Sequence, residues 1–154
     1  KPYPPIYLML ARNAGFSTSM IVRGTEGGVV PSLRQKSVYH FYKSPEDIDN
    51  STEIDPINDL GISCDARAVP LPKSITKEDK KDKIETKVDP LEVAKESLKQ
   101  GLEALSGKET IMSDCILLCS SIILSHLSSN NLESCSKEVN SILTPATVLM
   151  SLTS

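Results

Sequence analysis

The chain has 154 residues, of which 39% are hydrophobic and 24% charged, and its net charge is −3. This length suits one domain with a sizeable core, and the composition is that of an ordinary globular protein. Trp is absent and aromatic residues make up only 4%. The scarcity of aromatic residues argues against an aromatic platform for stacked bases, and the net charge gives no overall basic surface, so a nucleic-acid partner would need a local basic patch.

Targeting and membrane signals are absent from the sequence. No charged region followed by an apolar core and a cleavage site occurs, so we predict no signal peptide. Because the chain begins with Lys1 rather than Met, we expect the natural protein to start upstream. The longest apolar stretch, residues 115–127, is shorter than the roughly twenty residues of a membrane span. The four cysteines have no disulfide-framework spacing, which predicts reduced thiols in an intracellular protein without a membrane partner.

The first segments along the chain are a helix, a strand and a glycine-rich loop. Residues 6–13 are apolar and are followed by Gly15, which suits the left-handed position that ends many helices. Ser19–Val22 predicts a short buried strand, because it is too apolar for an alternating surface strand. Residues 24–33 are the glycine-rich loop.

A second strand and its hairpin partner are predicted next. Residues 36–43 alternate between two faces: Val38, His40 and Tyr42 on one, Tyr39 and Phe41 on the other. Residues 52–54 are expected to form the partner strand, which makes a hairpin with a long polar tip. Asp55 and Pro56 then predict a turn, or one turn of helix, that runs to Gly61.

Residues 66–88 differ from the rest of the chain. Pro70 and Pro72 are followed by a run in which lysines and acidic residues interleave and nearly cancel, with almost nothing to bury. Such a composition predicts a mobile surface loop or linker. The cancelling charges argue against a basic arm.

The residues after this segment predict helices, because their apolar positions recur every three or four residues. Asp89 and Pro90 are typical of a helix start, and Gly107 of its end. The apolar stripe between them comprises Leu91, Ala94, Leu98, Leu102 and Leu105.

Further helices follow. The second, over residues 109–128, is apolar nearly all round and must therefore be packed on several sides. A third is expected to turn Leu132, Cys135, Val139 and Ile142 inward, and Thr144 with Pro145 begins a short final helix that runs through residue 152. The sequence thus predicts an α/β fold: strands and loop in residues 1–65, a charged loop in 66–88, and a helical part of the same domain in 89–154.

Several of these segments together resemble a known family. They are Ile21-Val22, Arg23-Gly24, Gly27-Gly28, Val29-Val30, Pro31-Ser32-Leu33, Asp55-Pro56, Asp59-Leu60-Gly61 and the helices that contain Pro90 and Asp114. Their order resembles the C-terminal part of the anthranilate phosphoribosyltransferase family, which has the α/β fold of glycosyltransferase family 3 and the nucleoside phosphorylases. The likeness covers nearly the whole chain apart from residues 66–88.

The resemblance implies a fold and an activity. The chain would be the later part of a phosphoribosyltransferase-like α/β domain, a few strands and a hairpin closed by three to four helices. The family transfers a phosphoribosyl group from PRPP to an aromatic amine in tryptophan biosynthesis, with Mg²⁺ neutralising the pyrophosphate. Its PRPP-binding segments, Gly-Thr-Gly-Gly-Asp and Lys-His-Gly-Asn, are not in this sequence. We therefore expect a catalytically incomplete fragment, partnered by the upstream half of a parent that is a homodimer.

Two departures from the family bear on this chemistry. An Asp-Glu pair that helps to hold magnesium is replaced by Val29 and Val30, which offer no oxygen ligand, so no metal or other cofactor is assigned to this segment. A histidine is replaced by Arg23, which is always charged and suits a phosphate or a carboxylate. Paralogues with such departures are associated with nucleic-acid binding. The alternative function is therefore a non-catalytic protein that binds nucleic acid or another polyanion.

The candidate binding residues are Arg23, Gly24, Glu26, Gly27 and Gly28. The glycines could present backbone N–H groups to an anion, or only let a tight turn reach positive φ. The resemblance implies that all five line the cleft for PRPP and an anthranilate-like acceptor. No catalytic residue is assigned. A bacterial parent would be cytoplasmic and a plant parent plastidic.

Other clusters have simpler interpretations. The set Cys115, Cys119, His126 and Cys135 has no zinc spacing, and small buried thiols are common in apolar helices. His40 or His126 with a cysteine lacks an orienting group for a nucleophile. The carboxylate pairs lie in polar turns, where capping explains them: Glu46 with Asp47, and Asp55 with Asp59.

Overall fold

The computed structural model describes residues 3–22, 31–62, 90–128 and 130–143. Within these ranges the fold is mixed α/β, as the sequence predicts, with one antiparallel sheet and five helices. The strands are β1 (Ser19–Val22), β2 (Ser37–Tyr42) and β3 (Asn50–Ile54), in that order across the sheet. The helices are α1 (Pro4–Asn13), α2 (Pro56–Leu60), α3 (Pro90–Leu105), α4 (Ile111–Leu127) and α5 (Leu132–Leu143).

The two faces of the sheet are covered by different helices. Phe41 lies on the α4 side, where its ring centroid is 5.6 Å from that of His126. Tyr42 lies on the α1 side, and the Arg12 guanidinium sits 4.3 Å from the centroid of its ring. The alternation predicted for β2 is therefore confirmed, and the sheet is a middle layer.

Short-range interactions fix the ends of the elements where the sequence predicts them. The Asp55 carboxylate accepts hydrogen bonds from the backbone N–H groups of Ile57 and Asn58, which caps the start of α2. Gly61 ends the same helix with φ 69°, in the left-handed region that glycine tolerates. At α4, Thr110 and Ser113 form a capping box. The predicted β2–β3 hairpin and the helical turn are both confirmed.

The main core lies between the sheet and α4. Its buried members are Leu33, Ile54, Ile62, Cys115, Leu118 and Ile122. The helix α4 also contacts α3 and α5, so the prediction of a helix packed on several sides is confirmed. None of the described helices has the length and apolarity required to cross a membrane.

Two expectations about burial were wrong, one for β1 and one for α5, and the structure also shows which side of α3 is exposed. All four residues of β1 are half-buried rather than buried, because β1 is an edge strand of the sheet. The leucine positions of α3 are exposed, because α3 packs through its other side, where Ala104 is completely buried. Ile142 is 59% exposed, so the inward stripe of α5 ends at Val139.

Some predictions fall outside the described residues. They concern the loop residues 23–30, Cys64, the charged segment 66–88, the helix cap Asp89 and the final helix 144–152.

Candidate functional site

The five predicted binding residues lie within residues 23–30, outside the described part of the chain, but both flanks of that loop are described. Val22 ends β1 and packs against the main core. On the other side Pro31, Ser32 and Leu33 are all buried, Leu33 completely. The Ser32 hydroxyl oxygen accepts hydrogen bonds at 3.1 Å from the backbone N–H groups of residues 34 and 35. Both ends of the loop are therefore fixed at one end of the sheet, which we call the loop end.

Charged side chains gather at the loop end. Lys36 Nζ lies 2.8 Å from a carboxylate oxygen of Glu53 and 4.0 Å from one of Asp55. The hydrogen bond to Glu53 is the main cause that raises the pKa of Lys36. Asp59 is a weaker contributor in the same direction. Three carboxylates at this end, those of Glu53, Asp55 and Asp59, stand beside two described cations, Arg34 and Lys36, so the carboxylates outnumber the cations by one.

A groove of about 590 Å³ borders this acidic cluster. Its lining residues come from β2, β3, α2, α4 and α5 and include Tyr39, Thr52, Glu53, Asn58, Asp59 and Glu133. Three of these are carboxylates. The groove therefore suits a polar or cationic group better than a phosphate.

At the opposite end of the sheet, which we call the histidine end, hydrogen bonds connect Thr18, Tyr42 and His126. The Thr18 hydroxyl donates to the Tyr42 carbonyl oxygen at 2.9 Å. A hydroxyl has a single hydrogen, so Thr18 Oγ1 accepts the bond from His126 Nε2 at 2.8 Å. The neutral imidazole thus carries its hydrogen on Nε2. Nδ1 is buried and has no hydrogen-bond partner among the described residues.

This arrangement makes His126 a structural residue. Burial, with a smaller effect of Lys43, lowers its pKa and keeps the ring neutral. Since Nε2 is the donor, the ring cannot take a proton from Thr18. Lys43 Nζ donates to the Ser128 carbonyl oxygen at 3.4 Å, at the end of α4. The small cavity between them, about 200 Å³, is therefore a capped helix end.

Of the described cysteines, Cys115 and Cys135 are buried and Cys119 is half-buried. Cys115, Cys119 and Cys135 are free. A hydrogen bond to Cys119, together with burial, raises the pKa of Cys115, so this thiol stays protonated. Across the described ranges, no group of three or more His, Cys, Asp or Glu side chains could hold a metal ion.

The carboxylates of the turns act as caps, as the sequence predicts. Asp47 Oδ2 accepts from the backbone N–H groups of Lys43 and Ser44, at 3.2 Å and 2.9 Å. Asp59 Oδ2 accepts from the N–H of Asp55 at 2.7 Å. These side chains stabilise the hairpin tip and the start of α2.

Arg12 is a half-buried side chain that connects α1 to the hairpin tip, and the sequence did not reveal this role. Its Nη2 donates to the Asp47 carbonyl oxygen at 2.8 Å and to Asp49 Oδ1 at 2.7 Å, while its guanidinium covers Tyr42. Both acceptors are more than thirty residues away along the chain. No local pattern could have indicated this contact.

Comparison with known proteins does not assign a family. No family model matches the chain, and no curated protein or solved structure gives a significant match. What the chain's own residues define is a mixed α/β fold with a glycine-rich loop anchored at one end of an antiparallel sheet.

Proposed function

We propose that this chain is part of an anthranilate phosphoribosyltransferase-like protein, and that Arg23, Gly24, Glu26, Gly27 and Gly28 bind a phosphate of PRPP or a substrate carboxylate. The anchoring of the loop carries this proposal. Pro31, Ser32 and Leu33 are buried on one side and Val22 packs into the core on the other. Because both flanks are fixed, an anion held by N–H groups of this loop would lie at the loop end of the sheet.

The role proposed for Arg23 follows from its chemistry and from the charges on the described flank of the loop. The described carboxylates at the loop end outnumber the described cations, Arg34 and Lys36, and Lys36 is engaged by Glu53. A guanidinium beside glycine N–H groups would therefore supply the charge for one phosphate or carboxylate. Val29 and Val30 offer no oxygen ligand where the family has its carboxylate pair. These residues do not fit the family's Mg²⁺, and no step is assigned to it.

We propose further that the chain alone does not complete the transfer reaction. The segments with which the family holds PRPP are not in this sequence. Apolar side chains of α1 and α3 are exposed: Ile6, Tyr7, Met9, Leu10, Leu98 and Leu102 are each 48–64% accessible. Such surfaces are typical of a segment that packs against more protein.

The second candidate function is binding of nucleic acid or another polyanion without catalysis. It is favoured by the two valines in place of carboxylates. The acidic cluster of Glu53, Asp55 and Asp59 works against it, because a long polyanion would lie across these carboxylates. The geometry therefore favours a single phosphate group over an extended polyanion.

Titration calorimetry with PRPP, inorganic pyrophosphate and single-stranded DNA distinguishes the two functions. The phosphoribosyltransferase-like function predicts that this chain binds PRPP and pyrophosphate. It also predicts that the full parent protein converts PRPP with anthranilate, whereas this chain alone does not. The second predicts DNA binding whose affinity falls steeply with salt. If neither pyrophosphate nor PRPP binds, the phosphoribosyltransferase-like function is overturned. If DNA binding is absent or does not depend on salt, the polyanion-binding function is overturned.

A further inference from the structure

Two cysteines of α4, Cys115 and Cys119, lie one turn apart on the same face of the helix. Residues four apart in a helix are neighbours, with about 5–6 Å between their Cβ atoms. Both thiols are free, and they interact directly, because a hydrogen bond between them raises the pKa of Cys115 and lowers that of Cys119. The helix therefore holds two thiols close enough to react with each other.

The two thiols differ in their access to solvent. Cys119 is half-buried, and Ile123, one turn further along the same face, is 50% exposed. Cys115 is buried in the main core. The hydrogen bond from Cys115 favours the thiolate of Cys119, while burial opposes it. Since the thiolate is the reactive form of cysteine, Cys119 is the member of the pair that meets a small oxidant first.

The remaining described cysteine, Cys135, lies too far from this pair to replace either member. It is completely buried on α5, and its Sγ lies 3.8 Å from the hydroxyl oxygen of Ser128, at the C-terminal end of α4. Ser128 is nine residues beyond Cys119, which corresponds to about 14 Å along the helix. A disulfide needs Cβ atoms roughly 4 Å apart.

We propose that Cys119 is a peroxide-sensitive thiol and that Cys115 converts its oxidised form into a disulfide that distorts α4. The Cys119 thiolate attacks one oxygen of hydrogen peroxide, the O–O bond breaks, and the hydroxide that leaves takes up a proton to become water. The Cys115 sulfur then attacks the sulfenic acid of Cys119, whose oxygen leaves with the Cys115 proton as a second water. The two thiols lose two electrons in all, and one peroxide becomes two waters.

The first step prepares Cys115 for the second. The negative charge of Cys119 and the hydrogen bond to it are two of the causes that raise the pKa of Cys115. Once Cys119 is a neutral sulfenic acid, the negative charge is gone, and Cys115 loses its proton more readily. The reaction does not depend on the phosphate ligand of the proposed function.

The disulfide has a consequence for the core. Its Cβ atoms must come within about 3.5–4.5 Å, which is closer than the spacing of about 5–6 Å in a regular helix. The turn between the two cysteines must therefore tighten. This turn contains Leu118, which is completely buried in the main core. Oxidation is thus expected to loosen the packing of α4 on the sheet.

Peptide mapping by mass spectrometry after brief treatment with hydrogen peroxide tests the proposal. Cleavage after Glu133 separates Cys135 from the other two described cysteines. The expected product is a peptide that contains Cys115 and Cys119 and has lost two hydrogen atoms, and dithiothreitol should restore its mass. If Cys119 stays reduced, or is joined to Cys64, to Cys135 or to a second chain, the proposal is overturned.

Alanine variants separate the two steps, and circular dichroism shows whether each variant is folded. In Cys115→Ala the sulfenic acid of Cys119 cannot be resolved, so dimedone should trap at least about ten times more of it than in the unsubstituted chain. Cys119→Ala should give neither product. Cys135→Ala is the matched control and should form the disulfide at an unchanged rate. If Cys115→Ala traps no sulfenic acid at Cys119, the assigned roles are wrong.

Thermal unfolding of the oxidised and reduced chains measures the distortion of α4. The oxidised chain should unfold at a temperature at least about 4 °C lower, because the disulfide strains a turn of the core. Peroxide should leave the unfolding temperature of Cys119→Ala unchanged. If the unfolding temperature does not fall in protein whose disulfide has been verified, α4 accommodates the bond and the proposed distortion is overturned.

Discussion

The two ends of the sheet are held in different ways. At the histidine end, Thr18, Tyr42 and His126 form a closed set of hydrogen bonds, and Arg12 ties the hairpin tip to Tyr42. At the loop end, the chain is anchored by apolar burial of Leu33, and the charged side chains of Lys36 and Glu53 are solvent-exposed. Polar groups of the first end bond to one another, apart from the buried Arg12 Nε and His126 Nδ1, whereas the ion pair of the second end is open to solvent. The difference explains why the proposed function is placed at the loop end.

The largest expected effect comes from removing the apolar anchor of the loop end. Leu33→Ala should lower the free energy of unfolding by about 2–5 kcal/mol, because Leu33 is completely buried in the main core. Urea denaturation measures this loss. Ile48→Ala is the control and should change stability by less than about 0.5 kcal/mol, since its side chain is exposed. A loss under about 1 kcal/mol for Leu33→Ala would show that the loop end is not anchored by burial.

A smaller loss is expected at the histidine end. Arg12→Ala removes two hydrogen bonds and the contact with Tyr42. The side chain keeps 24% of its exposure, so solvent screens part of the effect, and we expect a loss of about 1–2 kcal/mol. Arg12→Lys keeps the positive charge but loses the planar guanidinium group, so its free energy of unfolding should lie between those of Arg12→Ala and the unsubstituted chain. If all three proteins have the same free energy of unfolding, the contacts of Arg12 do not stabilise the histidine end.

The pH dependence of stability sharpens the comparison further. The pKa of His126 is lowered in the folded state, first by burial and then by Lys43. The unfolded chain therefore takes up the proton first, and stability should fall as pH drops below about 6.5. His126→Gln keeps a donor for Thr18 and should flatten this slope between about pH 7.5 and 5.5. The denaturation midpoint is measured against pH for both proteins. If it changes with the same slope in His126→Gln and in the unsubstituted chain, His126 does not cause the pH dependence.

The smallest effect concerns the acidic surface of the loop end. Glu53→Gln removes one carboxylate from the cluster around Lys36. If a phosphate binds at this end, its affinity should rise about twofold to threefold at low salt, with the gain lost at high salt. Calorimetric titration with pyrophosphate measures it. Glu138→Gln, at an exposed position on α5, is the matched control. A decrease in affinity for Glu53→Gln would show that the ligand contacts Glu53 as an acceptor.

Local chemistry made much of the fold predictable. The alternation of Tyr39 and Phe41, the Asp55 cap and Gly61 each depend on neighbouring residues, and all three are confirmed. Contacts between distant segments were not predictable. The bond between Thr18 and His126 joins positions 108 residues apart, and the contacts of Arg12 depend on how the hairpin folds back. Periodicity identified the apolar stripe of α3 but could not indicate what the stripe faces.

The candidate site was predictable only as a loop with suitable residues. Glycines and Arg23 indicate an anion site by their chemistry. The acidity of its surroundings arises from residues of β2, β3 and α2, which the sequence places in separate segments. Their meeting point is a property of the fold, and it bears directly on which anion the loop could accept.

Measuring pyrophosphate binding by Arg23→Ala is the most direct test of the proposed phosphate site. Calorimetry at low salt should show binding by the unsubstituted chain and at least about a tenfold loss in Arg23→Ala, because charge-assisted hydrogen bonds to the phosphate disappear. Lys137→Ala on α5 removes the same charge elsewhere and should leave the affinity unchanged. Equal affinity of Arg23→Ala and the unsubstituted chain, or no binding by either, would contradict the proposed phosphate site.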